Sequence, residues 1–117
     1  MGFVADTKTY LRGELSGWHE AALNVQDTPY QFPCWRVDYA SPERRGGRDL
    51  PVVEVTVIVG FSQEKAVEED LEDRAFEVIE AIRGWSKGIY RSGSGTELIS
   101  LGSEAEYFGC RLRVEKT

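Results

Sequence analysis

The sequence predicts an α+β fold: an antiparallel sheet of about four strands packed on two helices, in the order α-β-β-α-β-β. Three stretches carry the prediction. The first is Leu50-Pro51-Val52-Val53-Glu54-Val55-Thr56-Val57-Ile58-Val59, a β-branched run suited to a central strand. Val53, Val55, Val57 and Val59 would share one fully apolar face, and Val52, Glu54, Thr56 and Ile58 a half-apolar one. The second is a segment following Phe61-Ser62-Gln63-Glu64, where Leu71, Ala75, Val78, Ile79, Ile82 and Trp85 form one helical stripe, with Ser62 as N-cap and an end near Gly84. The third is Tyr107 to Glu115, which alternates with Phe108, Cys110, Leu112 and Val114 inward and Arg111, Arg113 and Glu115 outward.

The 117 residues, 41% hydrophobic and 29% charged, describe a single domain spanning 1–117 with a modest core. No apolar run reaches the roughly eighteen residues of a spanning helix. The start, Met1 to Asp6, lacks the basic and apolar regions of a signal peptide, so intracellular synthesis is expected. A net charge of −6 argues against a broad nucleic-acid grip, which needs cations for the phosphates.

In chain order, a helix is expected from about Asp6 to Leu23, capped by Asp6 or Thr7, with Leu11, Leu15, Trp18 and Ala22 on one stripe. Gly13 and Gly17 weaken it, so Trp18 must anchor it by packing. His19 has no nucleophile at a recognisable spacing and reads as a surface or interface residue. Asn24 to Pro33 carries turn chemistry and reads as a loop. Cys34 to Tyr39 alternates as a half-buried strand that should pair with the central one.

Between those strands, Ala40 to Asp49 is too long for a tight hairpin and too polar for a core, so it should protrude. Arg44, Arg45 and Arg48 make it the densest basic cluster of the chain. Two readings stand: a solvated loop balanced by Glu43 and Asp49, or an arm that docks on an acidic neighbour. An acidic neighbour is encoded in the same chain, because Glu68, Glu69, Asp70, Glu72 and Asp73 crowd the first half of the second helix. With no His, Cys or Gly-rich loop beside it, that run reads as an exposed helix face rather than a catalytic one.

Gly84 to Thr96 is rich in Ser and Gly, but its Gly93-Ser94-Gly95 lacks the spacing and context of a phosphate loop. Glu97 to Gly102 reads as a short strand and Ser103 to Glu106 as its turn. Cys34 and Cys110 look like small buried apolar residues that could be neighbours across the sheet and stay reduced. Together with one His19 they do not make a metal-ligand set.

The element order, a Pro-containing loop, a long arm, the Leu50-Pro51 entry into a valine-rich strand, and the acidic helix Glu69-Asp70-Leu71-Glu72-Asp73-Arg74-Ala75 resemble the tail-terminator proteins of long-tailed bacteriophages. The resemblance covers nearly the whole chain. It implies a structural virion protein of the tail or neck, assembled in the host cytoplasm as a ring, commonly of six copies. The ring would sit at the head-proximal end of the tail tube, stop tube growth and join tail to head. Its partners would be further copies, the tail tube protein and the head-side connector protein, with DNA crossing the lumen without specific binding and no membrane involved.

On this reading there is no catalytic, cofactor-binding or metal-binding residue, and no cofactor. The subunit interface would pair Arg44, Arg45 and Arg48 with Glu68, Glu69, Asp70, Glu72 and Asp73, since a ring contact joins two different patches. The alternatives are another phage neck or head-tail connector protein, or a small ferredoxin-like enzyme or ligand-binding domain. The last would use a pocket lined by Trp18, Trp35, Tyr39, Tyr90 and Tyr107, but an enzyme would need an acid–base pair or an activated nucleophile that the sequence does not display.

Overall fold

A computed structural model describes residues 2–21, 31–61, 65–100 and 106–117. The elements are α1 (Phe3–Glu14), β1 (His19–Glu20), β2 (Cys34–Arg45), β3 (Arg48–Phe61), α2 (Lys65–Arg83), β4 (Gly88–Gly93), β5 (Glu97–Ile99) and β6 (Tyr107–Lys116). The expected sheet of about four antiparallel strands is therefore corrected. Six strands form one mixed sheet ordered β1-β2-β3-β6-β4, with β5 also on β6, and the element order is α-β-β-β-α-β-β-β.

Two added strands are local in origin. Gly17, at φ +82, turns the chain after a helix that ends at Glu14, well short of Leu23. His19 and Glu20 then run parallel to Cys34 and Trp35 instead of continuing the helix. In the Ser/Gly-rich run, Gly88 to Gly93 pairs antiparallel with Lys116 to Leu112, so what reads as loop becomes the outer strand β4. Beyond it, β5 continues along the same edge of β6.

The valine run is central, flanked by β2 and β6, both antiparallel to it. Val53, Val55, Val57 and Val59 meet Phe3 and Leu11 from α1, Leu15 just past its end, and Leu71, Val78 and Ile82 from α2. Both helices thus cover one face. Trp85 lies past the helix end and stacks on Phe3 and Tyr10, with ring centroids 5.6 and 4.8 Å apart. Trp18, also outside α1, packs against the same core and donates its indole N–H to Glu77 at 2.9 Å.

The opposite face is mostly ionic. Arg36 meets Asp38 at 3.0 Å, Arg111 meets Glu97 at 2.9 Å and Glu54 at 3.4 Å, and Arg113 meets Glu43 at 3.5 Å. Among the described residues its apolar cluster lies at one end, where Cys34, Ile58, Ile99 and Tyr107 gather. The two cysteines consequently lie on opposite faces of the sheet, Cys34 in this cluster and Cys110 in the helix-side core. Both are buried and free, but they are not cross-sheet neighbours.

Register explains one indispensable glycine. Gly109 sits opposite Ile58, where a Cβ would lie 2.3 Å from the Val57 carbonyl oxygen and 2.6 Å from the Ile99 side chain. No side chain fits there.

The expected Ser62 cap, most of the Asn24–Pro33 loop and most of the Ser103–Glu106 turn lie outside the described residues.

Candidate functional site

The segment Ala40 to Asp49 is not an open loop. β2 continues to Arg45, Gly46 and Gly47 turn the chain with φ +57 and +77, and β3 starts at Arg48. Two consecutive residues of positive φ make the tight primed turn whose twist matches paired strands, which only a pair such as Gly-Gly supplies cheaply. The expectation that this stretch is too long for a tight hairpin is therefore corrected. Pro42 and Pro51 are tolerated because a bulge sets two residues, Ser41 and Pro42, against one between the Ala40 and Glu43 pairs. Pairing of β3 with β6 begins only at Val52, so the hairpin extends beyond the third strand as an arm.

The three arginines on this arm have different neighbours. Arg45 donates to the Glu115 carboxylate at 3.0 Å, and Arg91 donates to the same carboxylate at 3.1 and 3.4 Å. Glu115 is on the outward face, as its alternation predicts, yet it is 2% exposed because these two long side chains lie across it. Burial opposes its charge, but the hydrogen bonds from Arg91 and Arg45, with their charges, hold the carboxyl below the ordinary 4.5. A bulge in β4 makes Arg91 the extra residue that reaches over. Arg44 meets Asp49 at 3.9 Å, its one ion-pair partner among the described residues, and both are well exposed. Among the described side chains Arg48 has no ion-pair partner, and it stands directly opposite Arg45 in the ladder.

The five acidic positions in the first half of α2, Glu68, Glu69, Asp70, Glu72 and Asp73, are all exposed. Asp70 is engaged by Arg74 at 3.1 Å, whereas Glu68, Glu69, Glu72 and Asp73 make no ion pair with another described side chain. Glu68 and Glu72, and Glu69 and Asp73, are like-charge neighbours one helical turn apart, which is mildly destabilising.

Beside these carboxylates runs a groove of about 560 Å³ between α2 and the β4–β6 edge. Its floor is Leu112 and Cys110, and its helix wall is Leu71, Phe76 and Ile79, with Glu68, Glu69 and Glu72 along the rim. Phe76 is 57% exposed there. The opposite wall includes Gly93 and Gly95, whose missing side chains leave the space open. The sequence did hold a signal for this groove: Phe76 is an aromatic residue off the helix's apolar stripe.

The aromatic set Trp18, Trp35, Tyr39, Tyr90 and Tyr107 does not line one pocket. Trp35 is core, Tyr39 is 64% exposed, and Tyr107 belongs to the cluster on the other face. Burial pushes the Cys34 thiol up to about 12 and the Cys110 thiol, with help from Glu97, up to about 11, so both stay protonated at neutral pH. Among the described residues no three His, Cys, Asp or Glu side chains gather as a metal site. Nor is any helix there long and apolar enough to cross a membrane.

The arm and the acidic helix start are not brought together within one chain. Val67, in the first turn of α2, abuts Gly60, while Arg48 stands at the tip of the arm. Along the strand those positions are at most about 40 Å apart at the ~3.3 Å rise of a strand. The longest dimension of the molecule is 45 Å, so the two charged regions lie toward opposite ends of it. Compared by sequence, the chain matches no protein-family model and none of the curated proteins.

Proposed function

We propose that this chain is a structural virion subunit that assembles head to tail into a ring, in the manner of the phage tail terminators it resembles. The supporting observation is polar: a basic arm toward one end and an acidic helix start toward the other, whose Glu68, Glu69, Glu72 and Asp73 make no ion pair with another described side chain. Heterologous contacts of that kind generate closed rings when the rotation per copy closes. The ring would cap the tail tube at its head-proximal end and present its far surface to the head-side connector. A connector role elsewhere in the neck uses the same contact and differs only in what the ring binds.

The test is the solution mass by light scattering, with negative-stain images of isolated tail tubes incubated with the protein. Rings seated on one end of the tubes are expected. A chain that stays monomeric and leaves tube ends bare overturns the reading, and rings that ignore tube ends overturn the terminating role.

A further inference from the structure

The groove between α2 and the β4–β6 edge has no occupant among the described residues of its own chain. We propose that it is the socket for the β2–β3 hairpin tip of a second copy, with Arg44 and Arg48 meeting Glu68, Glu69 and Glu72. This rests on the head-to-tail reading above and names the site that makes the contact.

Four features carry it. The first is charge. Arg48 stands opposite Arg45 with no described carboxylate of its own, and like charges facing across a ladder are destabilising. The groove rim carries the complementary defect, carboxylates stacked at one-turn spacing. One contact relieves both. The second is division of labour on the arm, since Arg45 is committed to Glu115 and so fixes the direction of the hairpin. Arg44 and Arg48, on opposite faces of the ribbon, remain for the contact.

The third is shape. A Gly-Gly turn gives a hairpin end with no side chains, and a Cβ added at Gly46 or Gly47 would meet nothing within 4 Å. The groove volume lies in the range of clefts that enclose a ligand, so a narrow turn has room. The fourth is apolar cover. Arginine stems are three methylenes long and lie well on apolar surface, and a guanidinium over the exposed Phe76 ring adds a cation–π attraction.

The direction of the contact makes it testable by charge exchange. Arg44→Glu with Arg48→Glu converts the tip, and Glu68→Arg with Glu72→Arg converts the rim. Each double variant alone puts like charges on both sides of the contact, so association should weaken by about tenfold or more. Mixed in equal amounts, each tip meets an opposite rim and association should recover. A quadruple variant carrying both exchanges should recover alone. Circular dichroism melts confirm folding, and Arg44→Gln with Arg48→Gln serves as a milder tip variant.

Association is read by light scattering, and by occupancy of tail-tube ends should copies gather only there. Loss in each double variant with recovery in the mixture supports the socket. Wild-type assembly with unaffected double variants, or with a mixture that fails to recover, overturns the socket and leaves the ring reading standing. A wild-type chain that assembles neither in solution nor on tubes overturns both.

Discussion

Glu115 sits on the ionic face of β6 and is nonetheless almost fully covered, because Arg45 from the arm and Arg91 from the β4 bulge close over it. The cover is two flexible guanidiniums rather than packed core, so the carboxylate is shielded but close to solvent. Its folded pKa lies below the ordinary 4.5, which fixes the sign of its linkage. The stabilisation is fully present above that ordinary value and disappears as pH falls through the folded pKa. Glu115→Gln should lower stability by about 1 kcal/mol near pH 6, a figure kept small because both arginines remain partly solvated. Urea midpoints of the two proteins should converge at a second, acidic pH below the folded pKa. A constant gap at both pH values would mean that Glu115 acts through packing and not through its charge.

At the scale of elements, the β2–β3 hairpin turns on Gly46 and Gly47, whose positive φ values define the geometry. Asn tolerates that conformation at the first position and has fewer unfolded states than Gly. Gly46→Asn should therefore raise stability by about 0.5 kcal/mol, read as a higher urea midpoint with an unchanged slope. A lowered midpoint contradicts the turn. The same hairpin shows what the sequence could and could not disclose. The run Val52 to Val59 and the alternation from Tyr107 onward state their strands openly, because burial on one or both faces demands apolar side chains at fixed spacing. The outer half of the arm has no buried face, so Pro42 and the arginines hide a ladder held by backbone hydrogen bonds. Gly88 to Gly93 is concealed for a similar reason: as an outer strand it needs little apolar content, and its glycine ends read as turn. The two charged patches were legible as composition. That they lie toward opposite ends of the molecule, that Arg45 belongs to Glu115 and that a groove adjoins the acids all depend on contacts between residues distant in the chain.

For the whole molecule, two electrostatic effects act on association in opposite directions, and their ranges differ. The net charge of −6 makes copies repel as bodies, over separations comparable to the 45 Å length of the molecule. The arm and rim attract over a few ångströms. Screening lengths are about 30 Å at 0.01 M salt, about 10 Å at 0.1 M and about 3 Å at 1 M. At the lowest of these the body repulsion persists, and at about 0.1 M it is largely screened while the contact pairs are not. At about 1 M the contact pairs weaken as well. Association should accordingly pass through a maximum near 0.1 M, measured as the dissociation constant across a salt series by sedimentation or light scattering. The tip variant Arg44→Gln with Arg48→Gln should lose the descending limb above the maximum, because it lacks the pairs that salt would break. If burial of Phe76 and its neighbours dominated instead, association would rise steadily with salt as repulsion faded and apolar contact strengthened. That monotonic rise would assign the contact to the apolar groove floor and remove the arginines from the recognition step.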